Sequence, residues 1–188
     1  MDRYVRLDIS VPPILSYSDP EDPQLRVTLT LVNSATSITI SRLDTRINPL
    51  VNSLAMVEAD TGNDVKLPTQ DVCYGKLPGT TTQEDMDRLI TLQPDMPYEI
   101  SENFRPFGKE TLENSNVEGA SRYRFLRFGM HLFKAGKPYR LSAIEGGVYG
   151  WMEGDKYDLL GKLWESSWVQ MPFRPGEGVE FQIEGDTV

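Results

Sequence analysis

Two residue types are nearly missing from this 188-residue chain: it has one cysteine, Cys73, and one histidine, His131. A lone cysteine excludes an intramolecular disulfide and any zinc site built on paired cysteines. Secreted sandwiches of this size commonly carry a bridge, so its lack points to a reducing compartment. A lone histidine excludes the His-Glu-x-x-His helix of zinc peptidases, which needs two imidazoles one turn apart. There is no Gly-x-Ser-x-Gly elbow, and Gly146, Gly147 and Gly150 fit neither nucleotide-binding fingerprint. Apolar runs are short, none near the ~20 residues of a membrane-spanning helix. Met1 to Asp8 lacks the apolar centre of a signal peptide. Together these absences lead us to expect a soluble, cytoplasmic protein that uses no cofactor and no metal.

Positive charge is scarce too. Nineteen Lys and Arg face 28 Asp and Glu, a net charge of −9. Such a surface repels phosphate backbones and anionic lipid, which argues against nucleic-acid and membrane partners. One stretch runs the other way: between Glu102 and Arg140 there are eight Lys or Arg against four Glu. Either an acidic partner surface or a second copy of the chain docks there, or the cations guard a solvated strand edge.

What is present reads as β structure. Fifteen Gly and 13 Pro punctuate the chain. Val5, Leu7 and Ile9 alternate with polar residues until Pro12-Pro13. Leu25, Val27, Leu29 and Leu31 share one face of a strand, and Ile38 and Ile40 resume the period within Ser37 to Leu43 after Asn33-Ser34-Ala35, so the two segments read as a hairpin. Further strands are expected at Leu54 to Ala59, Arg88 to Leu92, Tyr98 to Ile100, Arg122 to Phe133, Tyr139 to Ile144 and Gly178 to Ile183. Gly146-Gly147 is expected to break the chain before Val148 to Met152. Residues 104–120 read as a long polar loop. Leu159, Leu160, Leu163 and Trp164 have helical spacing, which makes 155–168 the one short helix, capped by Asp155. Turns at Leu92-Gln93-Pro94, Lys134-Ala135-Gly136 and Arg174-Pro175-Gly176 each feed an outgoing strand, and we read them as joining antiparallel neighbours.

At Leu132 to Leu141 an apolar strand ends in a Gly-containing turn and Tyr139 opens the next strand. That is the layout of a tyrosine corner. The expected fold is therefore all-β, an Ig-like Greek-key β-sandwich with long loops and one short helix, in a single domain over 1–188.

The order of the pieces Arg26–Asn33, Ile38–Ile40, Leu43–Leu50, Met56–Gly62, Val72–Gly75, Leu92–Pro94 and Lys134–Ala143 resembles the β-sandwich region preceding the catalytic domain of deuterolysin-like fungal metallopeptidases. Small stand-alone fungal proteins of that type share the order. The resemblance covers most of 25–145. It implies an Ig-like domain and no protease, because the family's zinc motif cannot be built with one histidine.

Several groups could carry chemistry. His131 shares a strand face with Arg127, but residues four apart on a strand lie about 13 Å apart, so only a bridging ligand would join them. Asp60-Thr61-Gly62-Asn63-Asp64, with Glu58, is superficially like a calcium loop, yet it lacks the ligand spacing and closing Glu of an EF-hand. Cys73 has no base beside it in sequence and reads as a small buried residue. Glu145, Glu153, Asp155 and Asp158 lie near Tyr149, Trp151 and Trp164. Aromatic walls that bury a carboxyl raise its pKa and make it a general acid. Tyr149, Trp151, Trp164 and Trp168 are dense enough to mark an interface, or simply to fill a core. Two functions follow. The first is a non-catalytic module that binds a protein partner or itself through Tyr149, Trp151, Trp164, Trp168 and Arg127. The second is a small cofactor-free isomerase or cyclase acting on an apolar metabolite, with His131, Glu145, Glu153, Asp155 and Asp158 as its acid–base set.

Overall fold

A computed structural model describes residues 2–16, 23–42, 54–65, 79–103, 135–148, 150–164 and 169–184. The strands within it are β1 (Tyr4–Ser10), β2 (Ile14–Ser16), β3 (Gln24–Val32), β4 (Ile38–Ser41), β5 (Leu54–Glu58), β6 (Asp64–Val65), β7 (Leu89–Leu92), β8 (Pro97–Asn103), β9 (Pro138–Ala143), β10 (Gly146–Val148), β11 (Trp151–Glu153), β12 (Met171–Pro175) and β13 (Val179–Glu184). The helical pieces among the described residues are two 3₁₀ turns, Gln83–Arg88 and Lys156–Leu159. The fold is all-β and sandwich-like, and no described helix is long and apolar enough to cross a membrane.

Three sheets form. One has the order β10-β12-β1-β3-β8, the second β2-β13-β9-β5-β6, and the third, smaller sheet β11-β4-β7. Period two explains the first. Val5, Leu7 and Ile9 stand opposite Leu31, Leu29 and Val27 in the antiparallel β1–β3 pair, and all six are buried on the inner face. The second sheet contributes Tyr139, Leu141, Phe181 and Ile183 to the same hydrophobic cluster. Tyr139 is wholly buried, with its ring 5.8 Å from that of Phe181. Ile38, Ile40, Ile90, Leu92 and Trp151 of the third sheet join that cluster, so one core serves all three.

Three expectations are corrected. β3 and β4 do not form a hairpin: β3 pairs with β1 and β8, whereas β4 pairs with β11 and β7. Asn33, at φ 57°, turns the chain out of the first sheet, and β4 becomes a central strand buried on both faces. The turns before Tyr98 and Val179 do not join antiparallel neighbours. Each is a corner where the chain leaves one sheet for another, from β7 to β8 and from β12 to β13. Gly146 and Gly147 do not break the chain but lie in β10, paired with Phe173 and Pro172. A Cβ on Gly147 would stand 2.5 Å from the Met171 carbonyl oxygen, so only glycine allows that close approach.

Among the described strands two pairs are parallel. β1 runs parallel to β12 and β2 parallel to β13. Both segments change sheets at the same place, one through Pro12-Pro13 and the other through Pro175-Gly176. Gly176 N–H donates to the Leu7 carbonyl at 2.7 Å and Gln182 N–H to the Pro13 carbonyl at 2.9 Å.

Candidate functional site

A small lobe stands on the outer face of β4 and β7. Its first part is the Gln83–Arg88 turn. Thr82 precedes it, and the Asp85 carboxylate accepts from the Thr82 hydroxyl at 2.6 Å and from the Thr82 N–H at 2.8 Å. The hydroxyl first, and then the N–H, hold the Asp85 carboxyl below its ordinary range. Its second part is the Lys156–Leu159 turn, capped by Asp155, whose carboxylate accepts from Tyr157 N–H at 2.9 Å. Of the helix expected over 155–168, this single 3₁₀ turn is what the described residues form. Gly161, at φ 76°, ends the helical path. The chain beyond it pairs with 79–81: Gly161 N–H donates to Thr81 O, Thr81 N–H to Lys162 O and Trp164 N–H to Gly79 O.

Polar bonds fasten the lobe to the sheet. The Thr39 hydroxyl donates to the Gly154 carbonyl at 2.8 Å and lies 3.3 Å from the Thr91 hydroxyl. Thr91 Oγ1 accepts from Lys156 N–H at 2.9 Å. Lys156 Nζ donates to the Met86 carbonyl at 3.1 Å and to the Leu89 carbonyl at 3.5 Å, placing a cation where the first 3₁₀ turn ends. The polar face of β4, which alternation alone would leave in water, is thus roofed and hydrogen-bonded.

Inside the lobe Met86, Leu89, Leu159 and Trp164 form a second, separate hydrophobic cluster, with Met152 against it. The indole Nε1 of Trp164 is buried with no hydrogen-bond partner among the described residues. On the outside Tyr157, Leu160 and Leu163 point to solvent, 65%, 47% and 57% exposed. These three large apolar side chains fall within seven residues of chain, a strip of sequence that also holds exposed Asp158 and Lys162.

Of the residues grouped from the sequence, the two described tryptophans fall in different clusters. Trp151 lies in the main core and Trp164 in the lobe cluster. Glu145 and Asp158 are exposed. Glu153, also exposed, pairs with Arg3 at 2.6 Å, and Asp155 serves as a cap. Arg127, His131, Tyr149 and Trp168 lie outside the described residues, as do Cys73 and the loop at 104–120. At the calcium-like turn, Glu58 and Asp60 converge on Lys137 Nζ, at 3.3 and 3.8 Å. A hydrogen bond from Thr61, and then Lys137, holds the Glu58 carboxyl below its ordinary range, while the bond to Glu58 raises the Lys137 ammonium. Among the described residues no group of three His, Cys, Asp or Glu stands together as a metal site would need.

Sequence reasoning missed Thr82 and Asp85, to which it gave no role. The spacing Thr-x-x-Asp is the capping-box signal that could have found them. It also placed Leu159, Leu160, Leu163 and Trp164 on one helical face, whereas Leu159 and Trp164 turn in and Leu160 and Leu163 turn out. No family model, no curated protein and no solved structure matches the chain.

Proposed function

We propose that this protein is a non-catalytic β-sandwich module that binds a protein partner or a second copy of itself, and that the lobe is its contact surface. The observation that carries the reading is the exposed strip Tyr157, Leu160 and Leu163 set over a small core of its own. Large apolar side chains left in the open close together in the chain, with an aromatic among them, are characteristic of contact surfaces. The polar groups nearby support the same reading, since Asp155, Asp85 and Lys156 are engaged in holding the lobe together.

The strand plan supports an Ig-like sandwich beneath it. The sets β1-β3-β8 and β2-β13-β9-β5-β6 match the two-sheet arrangement of such domains, in which the first strand switches sheets, and Tyr139 opens β9 as a tyrosine corner requires.

Sedimentation velocity over a wide concentration range, together with affinity capture from the source cells, tests the proposal. The wild-type chain should self-associate or retain a partner that Leu160→Asp/Leu163→Asp does not. A chain that stays monomeric, with identical capture by wild type and double variant, overturns it.

A further inference from the structure

The first and last strands of the described chain share an arrangement that the contact surface does not use. β12 lies between β10 and β1, and β13 lies between β2 and β9. One C-terminal segment therefore holds an interior position in both five-stranded sheets. The N-terminal segment accompanies it, β1 against β12 and β2 against β13, with register pairs Val5 to Phe173 and Ile183 to Leu15. Phe173, Phe181 and Ile183 are fully buried, as are Val5 and Leu15. Neither segment can leave its sheet without stripping the other of a neighbour in both sheets.

At their starting ends, where Tyr4 also pairs with Val32 and Met171 with Val148, the two strands meet a common residue of β11. The Trp151 indole N–H donates to the carbonyl of Val169, just before β12, at 2.8 Å. The guanidinium of Arg3, just before β1, lies 4.5 Å from the centre of the Trp151 ring and bonds the Glu153 carboxylate at 2.6 Å. The starts of both strands are thus fastened to β11, one through the edge of the indole and the other through its face.

We infer that β1-β2 and β12-β13 form a single two-segment strap, clasped at Trp151, which opens as one unit. Trp151 is then a positioning residue whose effect reaches beyond its own contacts. Its loss is felt at the far end of the strap, where Gln182 N–H meets the Pro13 carbonyl and Gly136 N–H meets the Ile183 carbonyl.

Residue-resolved amide hydrogen exchange on the full chain tests this, comparing wild type with Trp151→Phe and, as a change that leaves every core side chain in place, Arg3→Ala. Removing the indole N–H should speed exchange by roughly fivefold, the scale of one lost hydrogen bond. The rise should appear together at Leu7, Phe173, Gln182 and Gly136, while amides of β5 stay near the wild-type rate. Arg3→Ala should give the same pattern at smaller amplitude. Acceleration confined to residues 169–171 in Trp151→Phe, or β1 and β13 responding independently in either variant, overturns the strap. Should Trp151→Phe speed all amides equally through global unfolding, the Arg3→Ala pattern decides between the same two outcomes.

Discussion

The sandwich and the lobe are held by different forces. Among the described residues, twenty-three buried apolar side chains form the main cluster, against four in the lobe. The first set supplies its own stability, since each large side chain removed from water contributes about 1.5–3 kcal/mol. The second is too small to do so. It is assembled by side chains that satisfy backbone groups: Thr82 and Asp85 on one turn, Asp155 on the other, and Lys156 across both. Among the described residues the Trp164 N–H finds no partner inside it. A buried donor with no acceptor costs about 1–3 kcal/mol, which marks the lobe as the less settled of the two regions. The unit that is rigid by burial carries the one that is shaped by hydrogen bonds, and the exposed apolar strip sits on the latter.

That contrast can be broken from the sandwich side first. Phe181→Ala removes a fully buried ring beside Tyr139 and should lower global stability by about 3–5 kcal/mol, read from urea denaturation. Lys156→Met comes next. It strips the Met86 and Leu89 carbonyls of a charged donor, at about 1.5–3 kcal/mol, and the loss should appear as faster amide exchange in 83–88 and 156–164 with the sandwich unchanged. Thr82→Ala should cost about 1 kcal/mol, again confined to the lobe.

Acid sharpens the same comparison. Because the Asp85 carboxyl is held below its ordinary range, its capping contribution is complete above about pH 4. The contribution is then lost as pH falls through the lowered value. Exchange in the lobe should rise in that window, and Asp85→Asn should flatten the pH dependence. The smallest effect on stability belongs to Leu160→Asp/Leu163→Asp: each exposed site should shift unfolding by under about 0.5 kcal/mol, so a loss of binding in that variant reports the surface and not the fold.

Much of the sandwich was legible before any coordinates. Val5, Leu7 and Ile9, the Leu25–Leu31 alternation and the isolated Tyr139 all lie where their pattern put them, because each is a property of a few neighbouring residues. The lobe was barely legible. Its anchor Lys156 lies 65 residues from Thr91 and 70 from Met86 in sequence, and nothing local to Thr39 shows that its hydroxyl will meet the Gly154 carbonyl. The aromatic grouping of Trp151 and Trp164 also dissolved. Thirteen residues apart in the chain, they were sorted into different cores by which face of β11 and which side of Gly161 they follow.

By itself, then, the sequence determined that this chain is β-rich, where most strands run and which residues face inward, since a period-two pattern is read within five or six residues. Only the tertiary structure decided which sheet each strand joins. β3 and β4 carry the same alternation and went to different sheets, and the two ends of the described chain came to lie parallel. The reason is physical: side-chain alternation selects a face, whereas hydrogen-bond partners are chosen among all strands at once, by whatever packing buries every apolar face and leaves the fewest backbone groups unpaired.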